Sequence, residues 1–338
     1  MKAGFGQSLI GPLAATVLAA LVVALTTDRF VDAGNLRNLA LQVSIVALIG
    51  IGSTLVIVTG GIDLSPGSAI ALLTMVFAIL VKFGGVDLWL GLIATLLLGA
   101  MLGGLNGLLT AYLRIPAFIT TLAALSAFRG IAFMFNNGSP VFEVSPLLER
   151  LFYGSVFGLP LPLLYVVAFF AAAHWLMRWT RLGRSIYAVG GNPRAAHLSG
   201  INVKRTQLLA FILAGFMAAV GAVLMAARLN SGSPNYGAGL ELQAIAAAVI
   251  GGASLAGGRG NVLATLLGAL TITIVQNGLN LNAVPTSLQN VIIGLIILLA
   301  VGIDMWRKEI GGILHLFAVP ADRSAAQPSK SREERTHS

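Results

Sequence analysis

The stretch GGIDLSPGS, beginning at Gly60, sets a carboxylate, a hydroxyl and a proline between two long apolar runs. Gly60 and Gly61 suit the left-handed end of one helix, and Ser65 with Pro66 suits the N-cap and first residue of the next. Asp63 lies in the turn between them. Two roles fit it: capping a helix at the membrane edge, or lining a polar break, which a bilayer tolerates only where backbone faces protein or water. Glu241 and Gln243 stand in a comparable setting, GAGLELQ. Arg129 is the one formal charge well inside an apolar run, a placement costing about 2.5–3.5 kcal/mol at a helix centre. It therefore either snorkels to the outer headgroups or pairs across a path. Asn136, Asn137, Ser139 and Glu143 follow it at what would be the outer mouth. Groups of these kinds can line a path for a polar solute. With no cysteine, no metal-spaced histidines and no Ser/His/Asp set at one depth, they hold no metal or cofactor and no catalytic constellation.

The elements that must position these residues follow from composition. Of 338 residues, 57% are hydrophobic and 10% charged, and apolar runs near or above the bilayer-spanning length of roughly 18 residues recur throughout. The alternation of an outer-membrane barrel is absent. The fold class is all-α polytopic, with about ten helices centred near Ala19, Leu48, Met75, Leu98, Leu125, Val167, Gly215, Val249, Leu270 and Ile296. The first run, about Ser8 to Thr27, reads as a span rather than a signal peptide. Basic residues concentrate on alternate connections: Arg114, Arg178 to Arg205 and Arg259 fall on one set, Arg29, Arg37, Lys82, Arg150 and Arg228 on the other. The positive-inside rule then puts both termini in the cytoplasm and makes the net charge of +9 a topology signal rather than a nucleic-acid footprint. Residues 1–319 read as one transmembrane domain. The polar, Pro/Ser-rich segment 320–338 reads as a disordered cytoplasmic tail.

Two halves of the chain echo one another. GGIDLSPGSAIALL resembles GAGLELQAIAAAVI from Gly237, with Glu241 in the place of Asp63. The run from Ala94 resembles the run from Ala264, sharing ATLL, an Asn-Gly-Leu (Asn106 and Asn277) and a later proline (Pro116 and Pro285). The matching helices would run in opposite directions, as in the inverted repeats of transporters, which place the path between the halves. On that reading Asp63 lies near the inner face and Glu241 near the outer one.

The loop 178–206 is the longest inner connection. Asn192 is a good N-cap, Pro193 suits the first helical position and Gly200 can close the turn, so PRAAHLS makes a short, doubly capped helix. A helix this short is marginal in water, which makes it a docking knob or a helix lying on headgroups. GGASLAGGRGN lacks the Gly-Lys-Ser/Thr of a phosphate loop, and its glycines are expected to serve close helix packing.

Together GGIDLSPGS, IPAFITTLAALSAFRGIAFMFNNGSP, GRSIYAVGGNPRAAHLSGINV and AIAAAVIGGASLAGGRG make the chain resemble, from Asn35 to Trp306, the permease subunits of ribose/xylose/arabinose-type bacterial ABC sugar importers. The resemblance implies a fold like the vitamin B12 importer permease, a homodimer or pseudo-dimer in the bacterial inner membrane, a cytoplasmic ATPase partner and a periplasmic sugar-binding protein. It implies that the chain is not itself an enzyme and that a monosaccharide crosses it; the polar breaks and the echo between halves make Asp63, Ser65, Asn106, Arg129, Asn137, Glu241, Gln243 and Asn277 the candidate path residues. It also implies that Asn192, Pro193, Arg194, Ala195, Ala196, Leu198 and Gly200 dock on the ATPase, with Arg194 standing where the family has glutamate. An ion-coupled secondary transporter is the rival reading. Carboxylates confined to ends and turns argue against proton coupling, while sodium held by carbonyls and hydroxyls stays open.

Overall fold

The computed structural model describes residues 7–317; the expected disordered tail lies outside them. Its helices, among the described residues, are α1 (Gln7–Thr26), α2 (Ala33–Val58), α3 (Pro66–Lys82), α4 (Leu88–Ala111), α5 (Ala117–Met134), α6 (Leu147–Tyr153), α7 (Leu161–Trp179), α8 (Arg181–Gly191), α9 (Pro193–Leu198), α10 (Val203–Leu229), α11 (Leu240–Ile250), α12 (Val262–Leu281) and α13 (Thr286–Phe317). Four two-residue strands, β1 (Val141–Phe142), β2 (Ser155–Val156), β3 (Leu159–Pro160) and β4 (Ser231–Gly232), pair antiparallel as β1–β4 and β2–β3. Seven helices among the described residues are long and apolar enough to span: α1, α2, α4, α5, α7, α10 and α12. Shorter apolar helices fall at the other three expected centres, in α3, α11 and the first part of α13. The ten expected helices thus correspond, among the described residues, to seven long ones and three shorter ones, of which α11 is the shortest. Its 11 residues rise about 16 Å, half a bilayer, because Gly239 starts it late and Gly252 ends it early.

α2 is the central post, buried over most of its length. Both α10 and α12 run antiparallel to it. Gly52 abuts Ala214 while Ile49 abuts Gly221, and Thr54 bonds Thr265 at 2.7 Å while Asn35 pairs with Asn277. In lipid, helices gain nothing hydrophobic by touching, so close packing of small residues must hold them. Gly99, Gly103 and Gly107, one per turn along α4, let its backbone lie on α10 at Gly215, Phe211 and Leu208. A Cβ at Gly103 or Gly215 would enter backbone atoms of the other helix.

The connections sort onto two faces. The 251–261 loop meets α8 on one face, where Gly257 and Gly258 lie against Gly190 and Gly191, and Tyr187 donates its hydroxyl to the Gly260 carbonyl at 2.8 Å. Burial raises the pKa of that phenol, which keeps it a donor. Gly258 N–H also bonds the Val58 carbonyl, so the later glycines of GGASLAGGRG join a loop to helix ends, while Gly251 sets the end of α11 closely on α12. The turn carrying Arg114 lies on this loop face too. On the opposite face, Lys82 donates to the Phe142 carbonyl, Ser145 N–H bonds the Asn230 side chain and Tyr153 bonds the Leu224 carbonyl.

Candidate translocation path and docking loop

α2 ends because Gly60 turns left-handed, at φ 86°, so that Gly60 N–H bonds Ile57 and Gly61 N–H bonds Val56. The chain then re-enters the protein as an extended segment, and Pro66 starts α3. Asp63 is 3% exposed. Its Oδ1 accepts from Ser65 N–H at 2.9 Å and from Ser65 Oγ at 2.7 Å, and Asn106 Nδ2 donates to Ser65 Oγ at 2.9 Å. Ser65 holds the N-cap position, yet its hydroxyl serves Asp63 and not the helix amides. Thr121 on α5 ties the segment down further through the Ile62 carbonyl, at 3.0 Å.

The second break, from β4 to Gly239, reaches α11 through left-handed glycines at 237 and 239. Arg129 Nη1 donates to the carbonyls of Pro234 at 2.6 Å and Tyr236 at 2.7 Å. It therefore holds the irregular backbone that would otherwise leave buried carbonyls bare, rather than snorkelling to headgroups. Glu241 Oε1 accepts from Gly239 N–H at 3.3 Å; its Oε2 is buried with no hydrogen-bond partner. Gln243 is buried on the same first turn.

These breaks meet. Gly67, in the first turn of α3, lies against the Gly237 carbonyl and Glu241 Oε2, and a Cβ there would enter both. From this junction α3 runs toward β4, with Gly232 set against Thr74 and Ala78. α11 runs the other way, its end at Gly251 resting on Ala264 and Thr265 where α12 begins on the loop face. Asp63 and Glu241 were expected near opposite membrane faces. Asp63 stays close to the loop face, three residues from Gly60, which lies against Gly257, whereas Glu241 lies against the start of α3 at Gly67, because α11 begins inside the protein rather than at its surface.

The remaining path residues sit apart. Asn277 exchanges amide bonds with Asn35 at 2.9 and 3.0 Å, joining α12 to α2. Asn137 is exposed in a left-handed turn beyond α5, at φ 52°. Sequence reasoning missed the α4 glycine row, whose signal is the four-residue spacing of GAMLGGLNG.

The docking loop has the expected local form. Asn192 Oδ1 accepts from Ala195 N–H at 3.0 Å, Pro193 opens α9, and Gly200, at φ 81°, closes it with Ile201 N–H on the Ala196 carbonyl. Ala196 is buried beneath; Asn192, Pro193, Arg194, Ala195 and Leu198 are exposed, Leu198 by 87%. α9 thus presents a bare leucine beside an exposed arginine on the loop face.

A helical bundle with two shorter, opposed helices, α3 and α11, meeting at polar groups inside it has the form of a membrane permease. The chain belongs to the family described as "Branched-chain amino acid transport system / permease component", which it matches over residues 35–301. The ribose import permease protein of Escherichia coli (strain K12) is 42% identical over 296 residues, covering 86% of this chain and 92% of that one. The xylose transport system permease protein of Haemophilus influenzae is 35% identical, covering 90% and 97%. The D-allose transport system permease protein of Escherichia coli (strain K12) is 37% identical, covering 85% and 88%. No solved structure matches the chain.

Proposed function

We propose that this chain is the membrane-spanning subunit of an ATP-driven importer that passes a monosaccharide across the bacterial inner membrane. The observation that carries the reading is that relatives named for three sugars, at 35–42% identity, each align with at least 85% of the chain. The family's description names branched-chain amino acids, but these near-full-length relatives favour a sugar. ATP is hydrolysed on a separate cytoplasmic subunit that receives α9, and a periplasmic binding protein delivers the sugar at the opposite face, near Asn137. The basic loop face is cytoplasmic, with both termini on that side. α2 to α5 and α10 to α13 form an inverted repeat: α4 lies on α10 as α12 lies on α2, and α3 and α11 diverge from one point. Ten membrane helices of the vitamin B12 importer type follow if α3, α11 and α13 are counted with the seven long spans, and two copies assemble as a homodimer. Sugar passes the junction of the half-helices, where Glu241, Gln243 and Arg129 offer hydroxyl partners and Asp63, Ser65 and Asn106 fix the wall.

Reconstitution in liposomes tests this. Alone, the chain should neither hydrolyse ATP nor accumulate sugar; with its ATPase and binding protein it should do both. Accumulation driven by an imposed proton or sodium gradient without the ATPase would instead establish the secondary transporter.

A further inference from the structure

A cleft of about 620 Å³ opens on the loop face between the end of α4 and the turn from α9 into α10. Thr110, Arg114, His197, Asn202 and Lys204 line it, and none of its lining residues is acidic. Arg114 is held in a left-handed conformation, at φ 61°, in the turn that follows α4. The Lys204 ammonium sits 5.5 Å from the centroid of the Tyr112 ring. Thr110 Oγ1 is buried with no hydrogen-bond partner. α10 begins at this cleft, and a helix start adds partial positive charge from its free amides.

The surroundings say what kind of anion fits. Leu97, Met101, Leu105, Leu108 and Tyr112 are all exposed and recur at helical spacing along one face of α4. That stripe runs along the spanning helix and ends beside Lys204 at Tyr112. A dissolved anion has no use for such a stripe. A molecule with a phosphate at one end and hydrocarbon at the other matches both parts.

We propose that the cleft binds the headgroup phosphate of an anionic phospholipid from the loop-face leaflet, with the acyl chains lying along the α4 stripe. Arg114 and Lys204 supply the charge, and the Thr110 hydroxyl donates the bond it lacks. The site lies under α9 on its His197 and Gly200 side, leaving Arg194 and Leu198 clear for docking. The proposal rests on the membrane-spanning fold and not on which solute crosses.

Native mass spectrometry of the full chain, extracted with mixed phosphatidylglycerol and phosphatidylcholine, tests it. Phosphatidylglycerol should be retained preferentially. Arg114→Asn suits the left-handed position, and Lys204→Met keeps a long stem over Tyr112, so neither should disturb the fold; unchanged melting temperatures check this. Each should cut phosphatidylglycerol retention roughly fivefold. Equal retention of the two lipids, or undiminished preference in the double variant, overturns the proposal. So does displacement of the lipid by millimolar inorganic phosphate, which would make the ligand a soluble anion. Loss of the lipid when the ATPase subunit is added would make the cleft a protein-docking surface, and also overturns it.

Discussion

Two helix starts meet at the centre of this protein and are finished differently. At the start of α3 both carboxylate and hydroxyl are engaged: Asp63 takes two bonds from Ser65, and Ser65 takes one from Asn106, whose own Oδ1 is left buried without a partner. At the start of α11 the account is left open, with Glu241 Oε2 buried and unbonded and Arg129 committed to backbone carbonyls. A carboxylate held by two short bonds resists rearrangement, whereas a buried carboxylate oxygen without a partner gains free energy from any donor brought to it. On the proposed function, the α3 start serves as wall and the α11 start as the side where a sugar hydroxyl or a helix movement can register.

The most severe way to break this comparison is to separate the two starts. Gly67→Val drives a branched side chain into the Gly237 carbonyl and Glu241, and should cost about 3 kcal/mol or more through overpacking. The readout is a lowered melting temperature in detergent and loss of transport together. Survival of both would mean the half-helices do not hold each other.

Next in size, Asp63→Ala strips the partner from a buried amide and hydroxyl and should destabilise by about 2–3 kcal/mol. Asn106→Ala should add less on top of it than alone, since both act through Ser65; a double-mutant cycle of melting free energies would expose additivity. Glu241→Gln is the contrasting test. It should alter stability by less than about 1 kcal/mol, because glutamine keeps the shape and an acceptor oxygen for the Gly239 N–H, while lowering the rate of sugar import. If Asp63→Ala proves mild and Glu241→Gln unfolds the chain, wall and path are assigned the wrong way round.

On the loop face the effects should be smaller in stability and larger in coupling. Gly200→Val strains a left-handed residue and Asn192→Ala removes a cap, each worth about 1–2 kcal/mol locally. Sugar-stimulated ATPase activity and co-purification of the ATPase should fall together while expression holds. Arg194→Ala, exposed and without the family's glutamate to replace, should change least.

Residues spaced along the chain made the bundle legible. Apolar length gave the helices, and Gly60 and Gly200 gave two helix ends, because a left-handed closing residue is a local requirement that glycine meets wherever it stands. The Asn192-Pro193 start of α9 is local in the same way, settled within a few residues of chain. The echo between halves offered a pairing of segments.

What the sequence left open is where corresponding segments lie. An alignment pairs Asp63 with Glu241 but carries no depth, and depth here depends on extended segments that lead each half-helix inward before it starts. That Gly67 touches Gly237, that Arg129 serves two carbonyls over a hundred residues away, and that Asn277 bonds Asn35 rather than the path are contacts between distant parts of the chain. Sequence fixes which groups can bond; only the closing of the bundle brings particular partners within about 3 Å, and it is that distance which decides whether a buried carboxylate is held or left without a partner.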